Sequence, residues 1–93
     1  MKRQLLQSPA FVRSLKGLAK RNPRVVESVE TALRLLADNA LQPSLATHKL
    51  KGSLARSWAC SAGYDLRIIF QVVPHAGGEA LLLQAVGSHD DVY

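Results

Sequence analysis

Ninety-three residues leave room for one domain with one core, which Leu, Val, Ile and Ala must supply because only two Phe, two Tyr and one Trp are present. Twelve Lys and Arg against seven Asp and Glu give a net charge of +5, which favours polyanions such as RNA, or an acidic protein, as partners. The lone Cys60 excludes an intrachain disulfide and fits a reducing, cytoplasmic setting; the longest apolar run, 80–83, is far too short to span a bilayer.

The chain opens basic, but Gln7, Ser8, Pro9, Arg13 and Lys16 interrupt the apolar stretch a signal peptide requires. Residues 3–6 suit a short edge strand. Ser8-Pro9 then supplies an N-cap and a proline for the first turn of a helix. Phe11, Leu15 and Leu18 recur at helical spacing, leaving Arg13, Lys16 and Lys20 to water. Asn22-Pro23 ends this helix and caps a second, whose stripe is Val26, Val29, Leu33, Leu36 and Ala37, with Asn39 as its stop. Seven cations precede the first acid, Glu27, so the helical hairpin carries most of the excess charge.

Beyond "LQPS" the period changes to that of strands: a short one near 46–50, one near 56–61, then "YDLRIIFQVV", and after the turn-rich "PHAGG" a last one in "EALLLQAV". In the third, Tyr64, Leu66, Ile68, Phe70 and Val72 form an apolar face for the helices. Asp65, Arg67, Ile69 and Gln71 take the other face, which places a carboxylate and a guanidinium side by side in mid-sheet. Trp58 suits sheet packing, His75 an ordinary turn position, and Cys60 a buried apolar role. The expected fold is α+β: a helical hairpin on one face of a twisted, mainly antiparallel sheet of about four strands, in a single domain over 1–93.

Three segments combine polar and apolar groups: "HKLKG" (48–52), "YDLRIIF" (64–70) and the closing "VGSHDDVY" (86–93). Their order and spacing, after a basic hairpin and with Trp58 between the first two, resemble the RelE/YafQ-like toxins of bacterial type II toxin-antitoxin systems. The resemblance spans nearly the whole chain. It implies a ribosome-dependent mRNA endonuclease whose catalytic residues are His48, Asp65, His89 and Tyr93. Lys49, Lys51, Arg56 and Arg67 then bind RNA phosphate. The chain departs from the pattern at Ser61, where the YafQ-like branch can carry a further His.

Cleavage by the RNA's own 2′-hydroxyl needs a base for that hydroxyl, cations for the extra charge of the transition state, and an acid for the leaving 5′-oxygen. Imidazoles titrate near neutrality and suit either proton transfer. Arg and Lys suit the phosphate, and Tyr93 offers a ring for an unstacked base. His48, His89 and an Asp lack local ligand spacing such as HxxxH or CxxC, so no metal or other cofactor is expected, nor a small-molecule ligand. The implied partners are a cognate antitoxin, the ribosome and mRNA, with the basic helices against ribosomal RNA, and no membrane. The competing reading is a binding module without nuclease activity, a ParE-like relative or a decayed toxin; the combination of His48, Asp65 and His89 argues against it.

Overall fold

The computed structural model describes residues 3–52, 56–63, 65–88 and 92. Strand β1 (Gln4–Gln7) leads into helix α1 (Pro9–Arg21), whose N-cap Ser8 accepts the Phe11 N–H at 3.1 Å. Asn22 caps the far end, and its side chain takes the Arg24 N–H before α2 (Val25–Asp38) begins. Helix α2 stops at Asn39, the residue the sequence marks. A 3₁₀ turn (Pro43–Leu45) follows, then β2 (His48–Lys49), β3 (Trp58–Ser61), β4 (Leu66–His75) and β5 (Gly78–Ser88).

The sheet has five strands in the order β1-β5-β4-β3-β2, the short edge strand near the start of the chain included. Strand β1 runs parallel to β5, pairing Gln4 to Gln7 with Ala80 to Leu83, and every other pairing is antiparallel. Both helices lie on one face. Phe11 and Leu18 of α1 and Val29, Ala32 and Leu36 of α2 meet Cys60, Ile68, Phe70, Leu81, Leu83 and Val86 in one apolar core. Trp58 and Leu5 pack at its margin.

Three details depart from simple alternation. Strand β4 runs on through Pro74 and His75, so the β4–β5 turn contracts to Ala76-Gly77, with φ of +49° and +81°, the paired left-handed geometry of a two-residue hairpin. Between Ile69 and Phe70 the register shifts: Ile69 faces Ala85 but Phe70 faces Leu83, so Gln84 is an extra residue in β5. The β3–β4 connection is tight, with the Leu66 N–H directed to the Gly63 carbonyl and the Ala62 N–H donating to the Leu66 carbonyl at 2.9 Å.

Candidate active site

The face of the sheet away from the helices follows from the register. His48 opposes Ala59, which opposes Ile69, which opposes Ala85; the next row along β3, β4 and β5 is Ser61, Arg67 and Gly87. Side chains directly opposite one another share a face, and so do those two apart along a strand. His48 and Arg67 therefore point from the same face, two strands and one row apart. At about 4.8 Å per strand and 3.3 Å per residue their Cα atoms are roughly 12 Å apart, a span that an imidazole and a long guanidinium can bridge around one phosphate.

Local structure orients both groups. The 3₁₀ turn ends at Ala46 in the left-handed region, φ +48°, and the Ala46 carbonyl lies 3.1 Å from His48 Nδ1. A carbonyl can only accept, so Nδ1 carries the proton, and in the neutral ring the lone pair sits on Nε2. His48 is exposed; Arg67 is half-buried, and its Nη1 donates to the Leu66 carbonyl at 2.9 Å. Beneath Arg67, burial pushes the Cys60 thiol up to about 12, against smaller lowering effects from the Ile68 backbone and the Arg67 charge. Cys60 is packing, not a nucleophile.

Other expected site residues land differently. Asp65 is not on the strand beside Arg67. It occupies the β3–β4 turn, exposed, with φ +58°, because β4 begins only at Leu66 and the tight turn needs a residue that tolerates the left-handed region. The carboxylate thus stands at the end of the sheet rather than in its middle. Lys49 opposes Trp58 and so shares the helix-side face of the sheet, away from His48. Lys51 and Arg56 are exposed at the two ends of the β2–β3 loop, which the hydrogen bond from the Leu50 N–H to the Ser57 carbonyl closes at 3.0 Å. His89 and Tyr93 lie outside the described residues.

Sequence reasoning missed the Ser57–Gln84 pair. Ser57 is 2% exposed, and its hydroxyl donates to Gln84 Oε1 at 2.7 Å, tying the start of β3 to the bulge of β5 across β4. The only hint in the sequence is the broken alternation of "LLLQAV". Two clefts open elsewhere. One, of about 360 Å³, lies along the outer edge of β3 between Ser61, Ser28, Thr31 and Ser44; the other, of about 320 Å³, runs beside Trp58, Val72 and Leu41. Neither includes His48 or Arg67 in its walls.

A fold of two helices on a five-stranded sheet, with an imidazole and a guanidinium on the face away from the helices, invites comparison with known proteins. Residues 3–93 match the family model described as the bacterial toxin of the type II toxin-antitoxin system, YafQ. The chain belongs to the YafQ family of type II toxins. No curated protein matches it in sequence. Among solved structures it is similar to YafQ from Escherichia coli strain BL21(DE3), at TM-score 0.79 and 18% identity over 99% of each chain. The E. coli DinJ-YafQ toxin-antitoxin complex matches at 0.76 and 19%, over 100% of this chain and 99% of that one. A YoeB/ParE toxin from Agrobacterium tumefaciens matches at 0.75 and 16%, over 92% and 98%. These likenesses show a shared fold over nearly the whole chain. Among the described residues no helix of this YafQ-family toxin is long and apolar enough to cross a membrane.

Proposed function

We propose that this YafQ-family toxin is an endoribonuclease that cuts mRNA on the ribosome and is silenced by a cognate protein antitoxin. The observation that carries this reading is the shared face of His48 and Arg67, with the lone pair of the neutral His48 ring on Nε2. In the reaction, His48 Nε2 takes the proton of the 2′-hydroxyl and the 2′-oxygen attacks phosphorus. A 2′,3′-cyclic phosphate forms as the P–O5′ bond breaks, and the leaving 5′-oxygen gains a proton. Arg67 holds the phosphate as its charge grows, and Lys51 and Arg56 steady the strand on either side. His89 as the acid, Tyr93 as a base-stacking ring and Asp65 as a carboxylate assisting an imidazole complete the set on the family resemblance. The antitoxin partner follows the DinJ-YafQ pairing of the E. coli protein.

The competing reading, a binding module without nuclease activity, draws on the displacement of Asp65 from the sheet into the turn. One assay separates the two. Purified toxin is mixed with programmed bacterial ribosomes, and mRNA ends are mapped. Wild type should cut and His48→Gln should be at least 100-fold slower with an unchanged melting temperature. Equal cutting by both would remove His48 from the chemistry, and no cutting by wild type would favour the binding module.

A further inference from the structure

Strand β3 runs past the end of its partner β2. The Ala62 N–H donates to the Leu66 carbonyl, and the Leu50 N–H to the Ser57 carbonyl. An antiparallel ladder directs the backbone groups of successive residues to alternate sides, so those of Cys60 face β4, while Ala59 and Ser61 turn their N–H and C=O outward. His48 of β2 takes Ala59, but two residues earlier the chain has left the sheet at Ala46, φ +48°. Among the described residues no strand residue opposes Ser61 on that side, and its edge borders the cleft of about 360 Å³ between β3 and α2. Ala32, Leu35, Leu45 and Ala62 line this cleft with apolar atoms. Arg24 and Glu27 line it too. They stand one helical turn apart, yet they do not pair with each other, and neither has an ion-pair partner among the described residues.

We propose that this cleft binds a free nucleoside monophosphate, a ligand to which nothing in the sequence points. Each polar group of the cleft then has a partner. The N–H and C=O of one extended residue form an adjacent donor and acceptor, which the amide or amidine edge of a base matches. The Arg24 guanidinium suits the phosphate, and the Glu27 carboxylate accepts from ribose hydroxyls, as acidic residues do in nucleotide sites. The volume falls among those of small-molecule sites, roughly 300–1,000 Å³. A peptide strand fits less well. It needs a row of unpaired edge groups, and here Ala59 is taken on one side of Ser61 while Gly63 has entered the turn on the other. A continuing RNA strand also fits less well, because its further phosphates meet the Glu27 carboxylate, which a single phosphate on Arg24 avoids. The inference does not depend on the nuclease reading, since neither His48 nor Arg67 lines this cleft.

Binding is measured by calorimetry on the whole toxin with AMP, GMP, CMP and UMP. The matching nucleosides, the 2′,3′-dideoxy nucleotides, inorganic phosphate and a tetraribonucleotide serve as comparisons. At least one monophosphate should saturate the wild type with a Kd below about 1 mM. Its nucleoside should bind the wild type at least about 5-fold more weakly, whereas Arg24→Gln should bind the two equally. Glu27→Gln should likewise lose the preference for the ribonucleotide over its dideoxy form. Ser28→Phe, at an exposed position on the cleft wall, fills the space and should abolish binding at an unchanged melting temperature. Failure of every monophosphate to bind, or binding that Ser28→Phe leaves intact, overturns the proposal. So does inorganic phosphate that binds as tightly as the nucleotide, which reduces the site to an anion contact at Arg24. A tetraribonucleotide that binds more tightly than the monophosphate, and loses that binding in Ser28→Phe, assigns the cleft to an RNA strand and overturns it too. Because cleavage is not read, a toxin that binds the nucleotide without cutting mRNA would refute the nuclease reading alone.

Discussion

Ser57 and Gln84, 27 residues apart in sequence, are joined by a 2.7 Å hydrogen bond that crosses β4 on the face opposite the helices. The bond exists because β5 carries one residue too many: the extra residue at the bulge turns Gln84 toward the face away from the helices, where it meets the buried Ser57 hydroxyl. Ser57 also receives the Leu50 N–H, so one residue fixes both the start of β3 and the end of the loop bearing Lys51 and Arg56.

Ser57→Ala removes the donor and leaves the Gln84 amide unpaired. The expected cost is about 1–2 kcal/mol, or a fall in melting temperature of roughly 5–15 °C for a domain of this size. The double variant Ser57→Ala/Gln84→Leu should regain part of it, because two apolar groups can replace a buried polar pair at little cost. Additive losses in a double-mutant cycle would show that the two residues do not interact.

Cys60 makes stability depend on alkaline pH. Burial holds the folded thiol near 12, against 9.0 for the unperturbed group, so the folded state keeps its proton more tightly than the unfolded chain. That preference is fully present below pH 9 and is lost as pH rises from about 9 toward about 12, at up to about 1.4 kcal/mol per pH unit. Chemical denaturation from pH 8 to 11 should show this decline in the wild type and a flatter curve in Cys60→Ala, which starts lower for its lost packing. The native thiol should also resist iodoacetamide at pH 8; rapid alkylation would contradict its burial.

Much of this arrangement is legible in the sequence because it depends on short-range chemistry. Ser8-Pro9 and Asn39 bracket the hairpin through capping, and the alternation of Leu66, Ile68 and Phe70 gives the helix-facing side of β4. What escapes is set by register. Which of His48 and Lys49 takes the face away from the helices is decided by a pairing only two residues long, and alternation continued back through Asp65 cannot register that a turn has already begun. The Gln84 bulge disrupts the period by one residue, which composition does not reveal. His48 and Arg67 are separated by 19 positions, and their shared face emerges only when β3 is placed between them.

The β4–β5 turn offers a stability test remote from the site. Ala76 holds φ +49° and Gly77 φ +81°; the first is uncomfortable for alanine, while Asn-Gly is favoured for this pair of conformations. Ala76→Asn should therefore stabilise the fold by about 0.5–1 kcal/mol, and Gly77→Ala should destabilise it by about 1 kcal/mol or more. Thermal melts check both, and RNA cleavage should be unchanged in Ala76→Asn. A stability loss in that variant would mean that the turn does not hold the two-residue geometry.

Asp65 is the residue whose place in the structure and proposed chemistry pull apart. In the turn it needs only to tolerate φ +58°, which Asn does as well as Asp and Gly does better. Asp65→Asn should therefore keep the melting temperature within a few degrees, and Asp65→Gly should match or exceed wild type. If the carboxylate assists an imidazole, both variants lose its charge and should cut ribosome-bound mRNA at least 10-fold more slowly, because stability is preserved while the negative charge is gone. Undiminished cutting by both would assign Asp65 to the turn alone and leave His48 and Arg67 as the described part of the active site.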